Sequence, residues 1–168
     1  MRRLLDGLYS ASAWLAGAFM IGVLVMVSLT IASRLFGFAA PGTDAYAGYA
    51  TAGAGFLALA STLKHGEHIR VTLLLGALHG GVRKLAELAA LLVATALAGF
   101  LAFYSVRLAW QSWEINDISV GIDATPMWIP QIFMALGTVV FFIAFADELV
   151  LELLGRREPP KIEDAHHE

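Results

Sequence analysis

The sequence predicts an all-α integral membrane protein. It has four transmembrane helices, a short interfacial amphipathic helix between the second and third, and both termini cytoplasmic. Three observations carry that prediction. The first is composition: of 168 residues, 58% are hydrophobic and 15% charged, where a soluble domain carries about 25% charged residues, and mean hydropathy is +0.71. The second is placement. Asp, Glu, Lys and Arg are missing from four long runs, 7–33, 45–63, 88–106 and 124–146, and a helix needs about 20 apolar residues to cross a hydrocarbon core of ~30 Å. The third is asymmetry. Arg2, Arg3, Lys64, Arg70, Arg83, Lys84, Arg156, Arg157 and Lys161 fall on one side of the implied spans, leaving Arg34 and Arg107 on the other. The side richer in Lys and Arg is the cytoplasmic one.

The first span is placed near 13–33. Two arginines ahead of an apolar run resemble a secretory signal. The run from Trp14 to Ala32 exceeds a signal's ~7–15 apolar residues, however, so an uncleaved span is expected. It carries Gly17, Ala18 and Gly22 but also Leu24, Val25 and Met26, so one face is expected toward lipid. The second span, near 45–63, is crowded with small residues: Gly48 and Ala52 share a face, as do Thr51 and Gly55. In lipid, close backbone approach across small side chains is a main source of helix association. Gly48, Ala52 and Gly55 are therefore expected to pack against another helix, with the span buried between neighbours.

Between the second and third spans, residues 69–79 (IRVTLLLGALH) are too few to cross a membrane and too apolar for a free loop. A helix there would lay Val71, Leu74, Leu75 and Leu78 into the acyl boundary. The third span is expected near 86–106 and the fourth near 128–150, with Pro130 in a first turn where a missing N–H costs little. The connection DISVGIDATPMW reads as an irregular loop punctuated by Gly121 and Pro126. Residues 1–155 make up the membrane domain, and the polar, proline-bearing residues 156–168 are expected to be a disordered tail.

The densest candidate chemistry is KHGEHIRV, from Lys64 to Val71. A helical zinc site wants two histidines four apart with an adjacent glutamate. Here His65 and His68 are three apart, and Gly66 between them disfavours helix. All five histidines fall outside the four expected spans, which argues against a haem-binding anchor. The chain has no cysteine, so thiolate metal sites and cysteine nucleophiles are excluded. A self-sufficient pump or exporter needs ionisable groups at membrane depth. Asp147 and Glu148 sit at the inner end of the fourth span, where headgroup water is the expected contact, and Arg34 and Arg107 at outer ends can snorkel. No catalytic residue, cofactor or metal is expected, and a net charge of −3 gives no reason to expect nucleic acid.

What remains is a contact role. Lys64, His65, Gly66, His68, Arg70, Arg83 and Lys84 are read as contacts to phospholipid headgroups or to a partner protein, at roughly 1 kcal/mol per basic side chain near an anionic surface. Arg34, Asp44, Trp110, Trp113 and Trp128 mark the opposite, outer face, where the tryptophans suit an interfacial belt better than a ligand-stacking cage. A stand-alone channel or exporter, or the membrane anchor of a redox enzyme, are the alternative readings. The first predicts solute flux through this chain alone, the second a haem absorbance band.

Three stretches resemble the small membrane subunit (the Q-type, or DctQ-like, subunit) of tripartite ATP-independent periplasmic (TRAP) transporters: ASRLFGFAAPGTDAYAGYA, LKHGEHIRVTLLL and VGIDATPMWIPQIFMALG. The Gly66–Val71 core, G-x-H-I-R-V, is the most specific of them. Where many relatives carry Glu or a paired acidic motif at the start of the second span, this chain has the single Asp44. The resemblance implies a non-catalytic scaffold in the bacterial inner membrane. It implies two protein partners, a large membrane subunit holding the substrate and sodium sites and a periplasmic binding protein, with an organic acid as cargo.

Overall fold

The computed structural model describes residues 2–64 and 81–154, with side chains over 5–64 and 84–154. The chain forms four helices: α1 (Arg2–Phe36), α2 (Thr43–Lys64), α3 (Gly81–Glu114) and α4 (Trp128–Leu153). Among the described residues the only β pairing is an isolated antiparallel bridge between Ile118 and Pro126. The interfacial helix expected over 69–79 and the tail over 156–168 lie outside the described residues.

Each helix covers its expected span, and two run well past it. α1 begins at Arg2 rather than near residue 13 because its first turns are packed. Tyr9 is 5% exposed, and buried Ser12 donates its hydroxyl to the Leu57 carbonyl of α2 at 2.7 Å. α3 continues to Glu114 rather than stopping near 106 because Ala109 and Ser112 are still buried. α1 stops at Gly37, whose φ of +71° is the left-handed conformation that closes a helix at little cost for glycine. The chain then turns through Pro41 and Gly42, and Thr43 opens α2 with its hydroxyl donating to the Ala40 carbonyl at 3.2 Å.

The helices lie in a row, α1–α2–α4–α3. α2 packs on α1 and on α4, α3 packs on α4, and α1 touches α4 only slightly. Small residues set these approaches. A Cβ on Gly137 of α4 would lie 2.5 Å from the Phe56 carbonyl carbon of α2, so the two backbones are in direct contact there. A Cβ on Gly53 would meet the Phe19 ring at 3.1 Å, and one on Gly99 the Phe142 ring at 3.1 Å. Along α3 the buried residues Ala98, Ala102, Ser105, Ala109 and Ser112 repeat at alternating steps of four and three. That is the spacing of a left-handed helix–helix seam. The seam faces α4, the one helix among the described elements that α3 contacts.

Three helices are long and apolar enough to cross a membrane: α1 over Leu5–Phe36, α3 over Lys84–Glu114, and α4. α2 is the exception in hydropathy, because Gly, Ala, Thr and Tyr replace branched aliphatics along its first half. Its 22 residues still reach roughly 33 Å. Large apolar side chains on α1 and α3 point away from the bundle, among them Met20, Leu24, Leu97, Phe100 and Phe103, which suits lipid contact and not water.

Candidate functional site

Both helix connections described, 37–42 and 115–127, come together at one end of the bundle. The start of α1 and the ends of α2 and α4 meet at the other. Each end holds a polar fastening, and an apolar groove leads down from one of them.

At the termini end, Lys64 in the last turn of α2 donates to Asp147 Oδ2 of α4 at 2.6 Å, and Glu148 Oε1 lies 3.7 Å away. Its ammonium also stands 5.3 Å above the Tyr9 ring of α1, so one lysine of α2 touches two other helices. Tyr9, Ala60, Val140 and Ala144 form the buried cluster beneath it. Asp147, expected to face headgroup water, is also ion-paired across the bundle, with 18% of its side chain exposed. Periodicity could not reveal the pair, because its members are 83 positions apart.

At the loop end the organising residue is Asp123. Tyr49 of α2 donates to its Oδ2 at 3.0 Å, and Ser119 donates to its Oδ1 at 2.9 Å. The Thr125 hydroxyl oxygen lies 3.2 Å from that of Tyr46. Hydroxyl donation, from Thr125 foremost and then Ser119 and Tyr49, lowers the Asp123 pKa to about 2 against partial desolvation. Gly42 fits under this loop: its φ is +81°, and a Cβ there would lie 3.0 Å from the Asp123 Cβ. Within the loop, Asn116 and Ala124 also take positive φ, and backbone bonds from Ser119 to Thr125 and from Met127 to Asp117 hold it in shape.

Below this loop, between α1, α2 and the start of α4, opens an apolar groove of about 410 Å³. Leu15, Phe19 and Met26 line it from α1, Tyr46 and Tyr49 from α2, and Phe133 from α4. The edge-to-face pair Phe19–Phe133, with ring centroids 4.8 Å apart, forms part of its wall.

The residues singled out from sequence distribute as follows. Lys64 is the ion-paired residue just described, and Lys84 is exposed on α3. His65, Gly66, His68, Arg70 and the Arg83 side chain lie outside the described residues. Gly48, Ala52 and Gly55 are all exposed on α2, and a Cβ on Gly48 or Gly55 would meet nothing within 4 Å. Among the described residues α2 is therefore buried on one side only. Its contacts are made instead by Gly53, Ala54, Leu57 and Ala60. Arg34 is exposed in the last turn of α1, and Asp44 is exposed in the first turn of α2 with Thr30 at 3.4 Å from its Oδ1. Trp110 and Trp113 are exposed on α3 with rings 5.5 Å apart, and Trp128 is the half-buried first residue of α4. Among the described residues no group of three or more His, Asp or Glu is placed to hold a metal ion.

Sequence reading did not find the bond between Tyr49 and Asp123, the role of Ser12 or the α3 seam. The four–three spacing of small residues on α3 was the available signal. For Tyr49 and Asp123, 74 positions apart, none was. Residues 23–155 match the family described as tripartite ATP-independent periplasmic transporters, DctQ component. No curated protein matches the chain at a significant level.

Proposed function

The chain belongs to the DctQ family, the small component of TRAP transporters, over residues 23–155, and from that premise we propose that it is the scaffold subunit of a sodium-coupled importer of an organic acid. The family is a transporter component and not an enzyme family, and TRAP systems join it to a large membrane subunit and a periplasmic binding protein. In this reading all four helices span the inner membrane and the termini are cytoplasmic. Arg34, Asp44, Trp110, Trp113 and Trp128 lie at the periplasmic face, where the binding protein docks. The basic segment from Lys64 to Lys84, including His65, Gly66, His68, Arg70 and Arg83, meets phospholipid headgroups or the large subunit on the cytoplasmic side.

The observation that carries the scaffold role is the uncovered small-residue face of α2. Gly48, Ala52 and Gly55 lie exposed on a helix crowded with Gly, Ala and Thr, a surface with few methylene groups to offer lipid. A helix of the large subunit packed there would gain close backbone contact, the main source of association in a bilayer.

Reconstitution tests the reading. Liposomes holding the large subunit are supplied with binding protein, organic acid and an inward sodium gradient, with and without this chain. Uptake is expected only with the chain present. Equal uptake without it overturns the scaffold role.

A further inference from the structure

We infer that the apolar groove beneath the 115–127 loop is a binding site for a single phospholipid whose headgroup carries a primary amine, one acyl chain lying in the groove. The site is distinct from the small-residue face of α2, which turns away from the groove, and does not depend on the assembly that face serves.

Length is the first argument. The groove follows α1 from Met26 down to Leu15, which at ~1.5 Å per residue is roughly 16 Å. Half of a ~30 Å hydrocarbon core is about 15 Å. The groove is thus as deep as one leaflet, with the Phe19–Phe133 pair in its wall. Chemistry is the second argument. The walls are aliphatic and aromatic, and the missing side chain of Gly22 leaves room between α1 and α2, since a Cβ there would come into van der Waals contact with the Ala50 Cβ at 3.9 Å. Polar groups gather only at the mouth, where the Tyr46, Tyr49 and Thr125 hydroxyls stand.

Charge decides which lipid. The loop over the mouth carries Asp117 and Asp123 and no Lys or Arg. Asp123 is joined to the groove wall through Tyr49, and as an ion it has acceptor positions beyond the hydroxyls it already accepts. An ammonium headgroup satisfies that carboxylate, whereas an anionic headgroup is repelled by it. The Tyr46 hydroxyl at the same level suits a phosphate or glycerol oxygen, as aromatic residues with a polar tip do at membrane interfaces.

The test uses the full chain in vesicles of equal phosphatidylethanolamine and phosphatidylglycerol, extracted gently and weighed by native mass spectrometry. One retained phosphatidylethanolamine per chain is expected. Ala18→Trp, which fills the groove from an exposed α1 position, is expected to lower retention about tenfold, while Leu24→Trp on the lipid-facing side of α1 leaves it unchanged. Asp123→Asn is expected to reduce the preference for the amine headgroup roughly fivefold, the effect of one charge near the surface. Equal retention in wild type, Ala18→Trp and Leu24→Trp overturns the site. A photo-reactive residue at Ala18 in native membranes, with the partner subunits co-expressed, decides the matter even if the tryptophan variant fails to fold. A crosslink to lipid supports the proposal, and a crosslink to another polypeptide overturns it in favour of a docked partner helix.

Discussion

The two ends of this bundle solve the same problem by different chemistry. Each must tie α2 to elements far away in sequence. At the termini end a cation does it: Lys64 binds Asp147 and stands over Tyr9. At the loop end a carboxylate does it with neutral donors: Asp123 accepts from Tyr49 and Ser119 beside Gly42. The difference follows from surroundings. The lysine and aspartate project from within apolar helices, where a charge without a counter-charge is costly. The loop aspartate keeps partial access to water, so hydroxyl donors suffice to hold it ionised. Between the two ends, backbone contact and not polar chemistry joins α2 to α4.

That ranking can be broken first in the middle. Gly137→Leu places a branched side chain where even a Cβ is 2.5 Å from backbone. It is expected to abolish the folded chain in detergent, followed by tryptophan fluorescence on heating; Gly137→Ala is expected to cost about 1–3 kcal/mol. A variant with unchanged melting would show that α2 and α4 do not cross there.

The termini end comes next. Removing one partner of a fully buried pair costs ~3–5 kcal/mol. Lys64 and Asp147 keep 23% and 18% of their side-chain surface open, so Lys64→Met is expected to cost roughly 1–2 kcal/mol. Adding Asp147→Leu should recover part of the loss, since it removes the stranded carboxylate. A double variant as unstable as the sum of both singles would mean that the pair does not couple.

At the loop end the expected effect is a pH window. The Asp123 pKa falls from 3.8 to about 2 in the folded chain, so its contribution is complete above 3.8 and is lost as pH drops toward 2. Hydrogen exchange at the Ser119 and Met127 amides should report protection that persists to about pH 4 and then disappears. Asp123→Asn should abolish that dependence. The smallest effect is expected at Gly48→Leu, where a Cβ meets nothing within 4 Å among the described residues. Melting of the isolated protein should not change, while co-purification with the large subunit should fall. Melting that falls with the isolated chain would place Gly48 inside the bundle.

How much of this was readable beforehand depended on the range of the interaction. Uncharged runs and length placed the four described helices, because a long apolar run constrains a contiguous segment. The boundaries were less readable. Tyr9 and Ser12 are a polar pair before an apolar run, and only their burial against α2 explains a helix that begins at Arg2. Small residues on α2 advertised packing but not its direction, since Gly53 and Gly55 look alike in sequence while one meets Phe19 and the other meets nothing. Asp147 read as a solvated acid because its partner, Lys64, is 83 residues earlier. Pairings of that kind depend on which helices become neighbours, and no local pattern encodes the order α1–α2–α4–α3.

The modest hydropathy of α2 bears on how the chain enters the bilayer. A helix rich in Gly, Ala and Thr gains little by partitioning alone, yet α2 emerges from the ribosome directly after α1. α1 already offers it the Ser12 hydroxyl, the Phe19 ring and the Thr30 hydroxyl, which bonds Thr43 at 2.8 Å. The tight reversal at 37–42 keeps the two together from the start. In the proposed four-span reading, translocation of α2 would be coupled to its predecessor, the pair inserting as a helical hairpin with the second arm carried in by the first.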